Sequence, residues 1–432
     1  MTKILKSTGI TPFGGLNFVL EEFNNLKINN LFCELLPSLP NQSKYDWKDL
    51  ILSLWSVFFC GGDCTEDLDK NLKHALDRNP YIKCPSPDRV LSRLKELAQP
   101  VENYQKKRCT MNHRISYHHE LSLFNIKMLK AANLLSSDDL TLDYDNTLIY
   151  HKKEDADYTY KKIPGYFPGV GLIGNNMVYV ENRSGNSEAA VSQEETLERM
   201  FSLLEKEGIT VRSFRADSAS CIYAVLAMVC KHVTDFYVRQ GMNPLVFEAI
   251  NRIDNWKEVI IDGETHYRGE TDFIPFEYTI NKYKLPPVSK ACRIVVTKAL
   301  NRSGKMNMIT NEACDYSAII TNNQDKTADE VVIFYNQRGT AEREFDVLKN
   351  DFGWDKMPFS KLEQNTVFLI LMGMCRNFYN HIIRTFSLKF RNLHPSYRIK
   401  KFTFRIICIA AKWVKTSRTY KLKIYGDLDF KT

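Results

Sequence analysis

VVIFYNQRGTAEREFDVLKNDF, residues Val331 to Phe352, decides how the rest of the chain is read. It opens as a short apolar, strand-like run and turns into a helix-forming segment carrying Tyr335, Arg338, Glu342 and Lys349. At about 100° per residue, with Tyr335 as zero, these four fall within about 60° of one another. Ala341, Phe345, Leu348 and Phe352 cluster at about 220–280° on the same wheel, a core-facing stripe beside the polar one. A carboxylate is thereby pressed to the edge of a buried face, between two cations and beside a phenol. A catalytic acid or metal ligand is presented in this way. A solvated helix with Glu and Lys pairs would use the same residue types.

Upstream, the chain supplies two further acids. Leu140 to His151, LTLDYDNTLIYH, alternates like a strand, with Asp143, Asp145 and Thr147 on one face and Leu142, Tyr144 and Leu148 on the other. Two aspartates on one face of so apolar a strand are costly unless they bind something. Gly169 to Glu181 then reads as a hairpin turning at Gly174-Asn175-Asn176, and Glu194 to Lys206 as an amphipathic helix closed by Gly208. Ile209 to Phe214 reads as a strand delivering Arg215-Ala216-Asp217-Ser218 at its end, followed by a helix over Ser220 to Lys231 and a strand over Asp235 to Arg239. This order predicts an α/β fold, a mixed sheet flanked by helices. Between Gly241 and Glu330, short β-type runs (Lys257 to Ile261, Arg293 to Val296, Ser317 to Thr321) predict a β-rich insertion.

Residues 1 to about 135 read as helical. Tyr45 to Phe59, Thr65 to Leu76 and Ser86 to Ala98 have helical spacing; the third opens on a Ser-Pro cap and carries Arg89, Arg93 and Lys95. Three short helices fit a helix-turn-helix-like DNA reader, and equally any small helical bundle. Asn112 to Asn133 is expected to be one further helix. At the other end, Leu362 to Phe386 reads as a long helix running into a basic, aromatic tail.

Charge sharpens that ending. The chain carries a net +8, yet Gln364 to Gly426 contains no acid and thirteen Lys and Arg, leaving −5 elsewhere, the difference between +8 and +13. Cations interleaved with Phe402, Phe404, Trp413, Tyr420 and Tyr425 point to a polyanion, most simply nucleic acid. The eleven cysteines form no CxxC pair, and Cys60 and Cys64, the closest two, read as free thiols rather than metal ligands. No signal peptide opens the chain, and its longest apolar run, Val367 to Cys375, falls far short of the ~20 residues a membrane span needs. The expectation is a reduced, cytoplasmic protein without membrane contact.

Three acids from a strand, a strand end and a late helix, if the sheet gathers them, form an oxygen-rich site suited to Mg²⁺ or Mn²⁺. Two such ions would activate water or a 3′-hydroxyl for in-line attack on a phosphodiester.

Tyr335, two residues, Arg338, three residues, Glu342, six residues, Lys349 resembles the Y-(2)-R-(3)-E-(6)-K signature of bacterial insertion-sequence transposases with a DDE catalytic domain. The supporting segments come in the matching order: LDYDNT, then RSGNS, then RADSAS, then the insertion. The similarity is closest to the group 1 DDE transposases, which write the first aspartate as D-x-D-x-T and the second as R-A-D-S. Ser184 stands where relatives often have proline. The resemblance implies an RNase H-like core, cleavage of DNA at terminal inverted repeats, and strand transfer by the freed 3′-hydroxyl. It implies two Mg²⁺ or Mn²⁺ ions held by Asp145, Asp217 and Glu342, with Asp143 as a supporting acid or the true first ligand and Asp346 as the nearest rival to Glu342. Arg338 and Lys349 would hold phosphates of the transposon end, Tyr335 would position that end, and Trp256 would either stack a flipped base or fill a core. Arg398, Lys400, Lys401, Lys412, Lys415 and Arg418 would contact the DNA backbone.

The expected organisation is a helical DNA-binding domain over 1–135 and the first part of the RNase H-like core over 136–240. The β-rich insertion spans 241–330, the second part of the core 331–362, and a helical basic C-terminal region 363–432. The partners implied are double-stranded DNA and further copies of the chain, as a homodimer or larger assembly, in a bacterial, nucleoid-associated setting. A nuclease without strand transfer and a catalytically idle DNA-binding regulator are the alternatives. The Arg and Lys of the signature argue against the first, and the intact acids against the second.

Overall fold

Capping chemistry starts two of the N-terminal helices. Asp46 accepts from the Asp49 amide at 2.7 Å while Asp49 accepts from the Asp46 amide at 3.4 Å, a reciprocal box that starts the helix Trp47–Phe59. That helix is apolar nearly all round and buried along its length, as a core helix must be. Ser86 caps Pro87–Glu96, as the sequence predicts. The structure, a computed structural model, describes residues 8–105, 112–426 and 428–431; Cys109 lies outside them.

In chain order the first strands are β1 (Ile10–Thr11), β2 (Glu102–Gln105), β3 (Asn112–Ser116), β4 (Leu140–Asn146), β5 (Ile149–Tyr150) and β6 (Asp157–Tyr158). They are followed by β7 (Pro164–Tyr166), β8 (Gly169–Ile173), β9 (Asn176–Arg183), β10 (Val211–Ala216) and β11 (Asp235–Gln240). The last are β12 (Lys257–Ile261), β13 (Glu264–Asp272), β14 (Arg293–Leu300), β15 (Cys314–Thr321), β16 (Ala410–Thr416) and β17 (Thr419–Tyr425). Eleven of them form one sheet in the order β12-β13-β14-β15-β11-β10-β4-β8-β9-β3-β2. β4, β10 and β11 run parallel to one another, and their apolar residues are buried. The strands β12 to β15, from the stretch expected to be a β-rich insertion, prolong this sheet, because β15 pairs antiparallel with β11.

The long helix Leu362–Lys389 binds sheet and N-terminal helices together. Asn377 donates to the Met177 carbonyl at 2.7 Å and accepts from the Met177 amide at 2.9 Å, satisfying both groups of a β9 residue. Gly373 faces Met177 so closely that a Cβ there would lie 2.3 Å from the thioether. From the N-terminal side, Trp55 donates to the Leu371 carbonyl at 3.0 Å and stacks on Phe378 at 5.7 Å. One apolar cluster therefore contains residues of both ends of the chain.

Four expectations are corrected. Val331 to Tyr335 is not strand-like but lies in the helix Ala328–Asn336, started by a capping box between Thr327 and Glu330. That box overrides the β-branched propensity of the valines. The helix ends there and a second one, Gly339–Asp351, follows a short break at Gln337-Arg338. Asn112 to Asn133 splits into β3 and the helix His119–Ala131. Thr65 to Leu76 forms a π-turn, Leu68–Leu72, and a single α-turn, Lys73–Leu76. The basic C-terminal region is helical only through its first part. Its end is the β16-β17 hairpin, which β1 joins as a third strand, because KWVKT and TYKLKIY alternate with period two and Ser417 turns between them at φ 56°.

Candidate active site

The parallel register of β4 and β10 sets Asp143 opposite Arg215 and Tyr144 opposite Ala216. One step further, at the carboxyl ends of the two strands, Asp145 and Asp217 follow. This is the edge of a parallel sheet where ligands bind.

The two aspartates of β4 are in different situations. Asp143 is 1% exposed and held by both arms of Arg215, at 2.7 Å from Nε and 2.8 Å from Nη2. Burial pushes its carboxyl up, and Arg215 pulls against that. Arg215 also donates to the Phe334 carbonyl at 2.5 Å and lies over the Phe334 ring, so one guanidinium joins β4, β10 and the helix that leads to Arg338. Asp145 receives Arg338 Nη2 at 2.8 Å. Its carboxyl is pushed up to about 6, first by burial and then by the charges of Asp217 and Glu342, against the pull of Arg338. Asp217 caps the turn Ser218–Ser220 by accepting from the Ala219 amide at 3.0 Å. Glu342 is exposed in the first turn of Gly339–Asp351, where the helix dipole favours an anion.

Lys349 and Tyr335 join the same helices to the ends of β4 and β10. Lys349 donates to Thr147 Oγ1 at 2.6 Å, tying the acid-bearing helix to the end of β4, and burial pulls its ammonium down. Tyr335 is buried against the sheet, its hydroxyl 3.4 Å from the Ala216 carbonyl. Asp346, the rival carboxylate, is engaged by Arg398 at 2.7 Å and Asn350 at 2.6 Å.

The remaining predicted contacts are dispersed. Arg398 also donates to Asp351 at 2.6 Å, with Lys400 at 3.7 Å from the same buried carboxylate, so these two cations fasten the C-terminal segment to the acid-bearing helix. Lys401 lies 3.9 Å from the Tyr397 ring centroid. Lys412 and Lys415 sit on β16 and Arg418 in its turn. Trp256 is half-buried beside β12, covered by the Lys298 ammonium 4.1 Å from its ring. In the helix Pro87–Glu96, Arg93 is paired with Glu96 at 2.7 Å.

Three supports were not identified from sequence. The Asp143 and Arg215 pairing appears only once β4 and β10 are aligned, although both residues stood in quoted motifs. Thr147 shares the strand face of the aspartates, but its contact with Lys349 arises only in the tertiary fold. Glu344 is buried and gripped by Arg376 at 3.0 and 3.1 Å, locking the acid-bearing helix onto the long helix; only the tertiary packing joins them.

Carboxylates at Asp145, Asp217 and Glu342 make an all-oxygen, like-charged donor set, the kind a hard divalent cation takes. The charges of Asp217 and Glu342 add to burial in raising Asp145, and such an ion would relieve that repulsion. As they stand they are more widely spread than the ligands of one ion. Among the described residues, only Asp63, Cys64 and Asp67 have ligand atoms all within 4.8 Å. In that group Asp67 closes a local turn by accepting from the Asp63 amide.

Among the described residues, no helix is long and apolar enough to cross a membrane. The model of a family described as transposase DDE domain group 1 matches residues 8–428 of the chain. Among solved structures, the chain is similar to a piggyBac transposase synaptic complex with hairpin DNA, determined by cryo-EM. The two share 11% sequence identity over 93% of this chain and 83% of that one, with a TM-score of 0.44. No curated protein matches the sequence.

Proposed function

This chain belongs to the transposase DDE domain group 1 family, and we propose that it carries out transposition through Asp145, Asp217 and Glu342. It is a DNA transposase, an enzyme of divalent-metal chemistry whose partner is DNA. One observation supports the assignment of the acids: Asp145 and Asp217 stand at the ends of adjacent parallel strands, and Arg338, at the start of the helix carrying Glu342, pairs with Asp145 at 2.8 Å. The order β9-β8-β4-β10-β11, with an antiparallel hairpin on one side of β4 and parallel strands on the other, supports an RNase H-like core.

In this reading Asp145, Asp217 and Glu342 hold two Mg²⁺ or Mn²⁺ ions, which when bound supply Lewis acidity to the attacking and leaving oxygens. Asp143 is a positioning residue. Its carboxylate is committed to Arg215, which fixes the end of the helix preceding Arg338. Arg338 neutralises Asp145 through one arm, and in this reading its other arm meets a DNA phosphate. Lys349 orders Thr147 and brings a second cation to the same end. Trp256 is held by Lys298 in a way that suits a stacking surface less than a structural one. Lys401, Lys412, Lys415 and Arg418 supply backbone contacts for DNA, while Arg398 and Lys400 anchor their segment. Joining two transposon ends requires two sites, so the acting form is a dimer or larger.

Purified protein, Mg²⁺ and a donor plasmid bearing the element's terminal repeats should give excised fragments and strand-transfer products. Nicks without end specificity would leave a nuclease in place of a transposase.

A further inference from the structure

Between β4 and β8 the chain makes a small separate sheet, β5-β7-β6, and two tyrosines, one ending β6 and one in the turn after it, stand largely exposed. Tyr158 is 70% exposed and Tyr160 71%, in a segment that also carries Lys152, Lys153, Lys161 and Lys162. None of these lysines forms an ion pair among the described residues. Large aromatic surface left in water is unfavourable, and a rigid display of it beside cations marks a binding surface.

The display is rigid. Thr159 closes the turn by giving both its amide and its hydroxyl to the Ile163 carbonyl, at 3.0 and 2.8 Å, and the Lys162 amide returns to the Thr159 carbonyl at 2.8 Å. Lys162 is held at φ 59°, a backbone region lysine rarely enters. Below the turn, Asp155 accepts from the Tyr166 hydroxyl at 2.5 Å, the Leu362 amide at 2.6 Å and Arg114 at 3.2 Å, and Asp157 accepts from Arg114 at 2.9 Å. The sheet is thereby fixed to β3 and to the start of the long helix.

It is also linked, through Thr147, to the helix that carries Glu342. Tyr160 leans on Phe167, with ring centroids 6.2 Å apart, and the next residue, Pro168, accepts from the Thr147 amide at 3.1 Å. Thr147 in turn receives Lys349 from the acid-bearing helix. Lys161 is near enough for its charge to reach Lys349.

We propose that Tyr158 and Tyr160 form a stacking platform for unpaired nucleotides next to the scissile phosphate, with Lys161 and Lys162 on the flanking phosphates. This rests on the transposase reading of the acids. The charge selects a nucleic acid strand, and the flat exposed rings require bases whose faces are free, so the occupant is single-stranded DNA at the cleaved end rather than intact duplex.

The test uses the full chain and two probes of common sequence, a blunt duplex and a duplex with a short single-stranded overhang containing 2-aminopurine. Wild-type protein should quench the overhang fluorophore and bind that probe more tightly. Tyr158→Ala with Tyr160→Ala should weaken overhang binding about tenfold and abolish the quench, with the blunt probe changed by less than about twofold. Tyr158→Phe with Tyr160→Phe should keep both, because stacking needs the ring and not the hydroxyl. Equal losses on both probes, no loss on either, or a phenylalanine variant as poor as the alanine one would overturn the platform. A wild-type protein that cuts no DNA with Mg²⁺ would contradict the transposase chemistry instead, while the overhang preference would still stand.

Discussion

At the scale of single residues, Asp143 and Asp145 differ by two positions and by nearly everything physical. The first is a buried member of a two-armed ion pair, and removing one partner of such a pair leaves an uncompensated charge in the interior. Arg215→Ala is therefore expected to destabilise the fold by about 3–5 kcal/mol, read from urea denaturation. Asp145 likewise has its carboxyl pushed up by burial, with the charges of two further acids acting on it. Its folded carboxyl sits at about 6 against an ordinary 3.8, so the folded chain retains a proton that the unfolded chain gives up. Ionising it therefore opposes folding above pH 6, by roughly 3 kcal/mol when complete, and that penalty fades as pH falls from 6 towards 4. Asp145→Asn should accordingly raise the melting temperature at pH 8 and leave it nearly unchanged at pH 4. Mg²⁺ should raise the melting temperature of the wild type at pH 8 and not that of the variant. The sequence located both aspartates on one strand face but left the first ligand open between them, because their environments are made by Arg215 and Arg338, which arrive from other elements.

At the scale of elements, the helices and strands with complete local signals were readable. Ser86-Pro87, the Gly174 turn and the amphipathic run at Gln193–Lys206 each announce themselves within a few residues. The errors came where two signals compete. Val331 to Tyr335 has strand propensity, yet the Thr327 and Glu330 box starts a helix through it; Thr327→Ala should cost about 1 kcal/mol. The basic tail was read from composition, which does not separate faces. On the β16-β17 hairpin, Lys412 lies directly opposite Lys423, and Lys421 shares their side by alternation, while Lys415 falls on the other. Three like charges on one side of a ribbon repel unless an anion lies over them. Replacing Lys412, Lys421 and Lys423 by Ala should lower the slope of log affinity against log salt by about 2–3, near 0.9 for each lost phosphate contact. Arg398→Ala should instead destabilise the fold and leave that slope in place, because Arg398 neutralises the buried Asp351.

At the scale of the whole molecule, the chain's two ends share one core. Trp55, Phe23 and Phe59 from the N-terminal helices pack on Phe378 of the long helix. Trp55→Ala is expected to cost about 3–5 kcal/mol and to lower the stability of the catalytic sheet with it, since the same helix satisfies Met177 on β9. Such contacts between positions hundreds of residues apart leave no local trace, which is why a list of consecutive segments was all the sequence yielded. The same geometry brings the end of β4 against the helix Gly339–Asp351 through Arg338 and Lys349, where the proposed site lies.

In the function proposed above, Asp145, Asp217 and Glu342 act as one metal-dependent centre for DNA cleavage. Glu342 is the most direct test, because it is exposed and its carboxylate supports no packing. Strand transfer from a donor plasmid bearing the terminal repeats, with Mg²⁺ and Glu342→Gln protein, should show no cleavage and no joined product while affinity for the repeat DNA stays at the wild-type level. Cleavage at the wild-type rate would remove Glu342 from the chemistry and contradict the account.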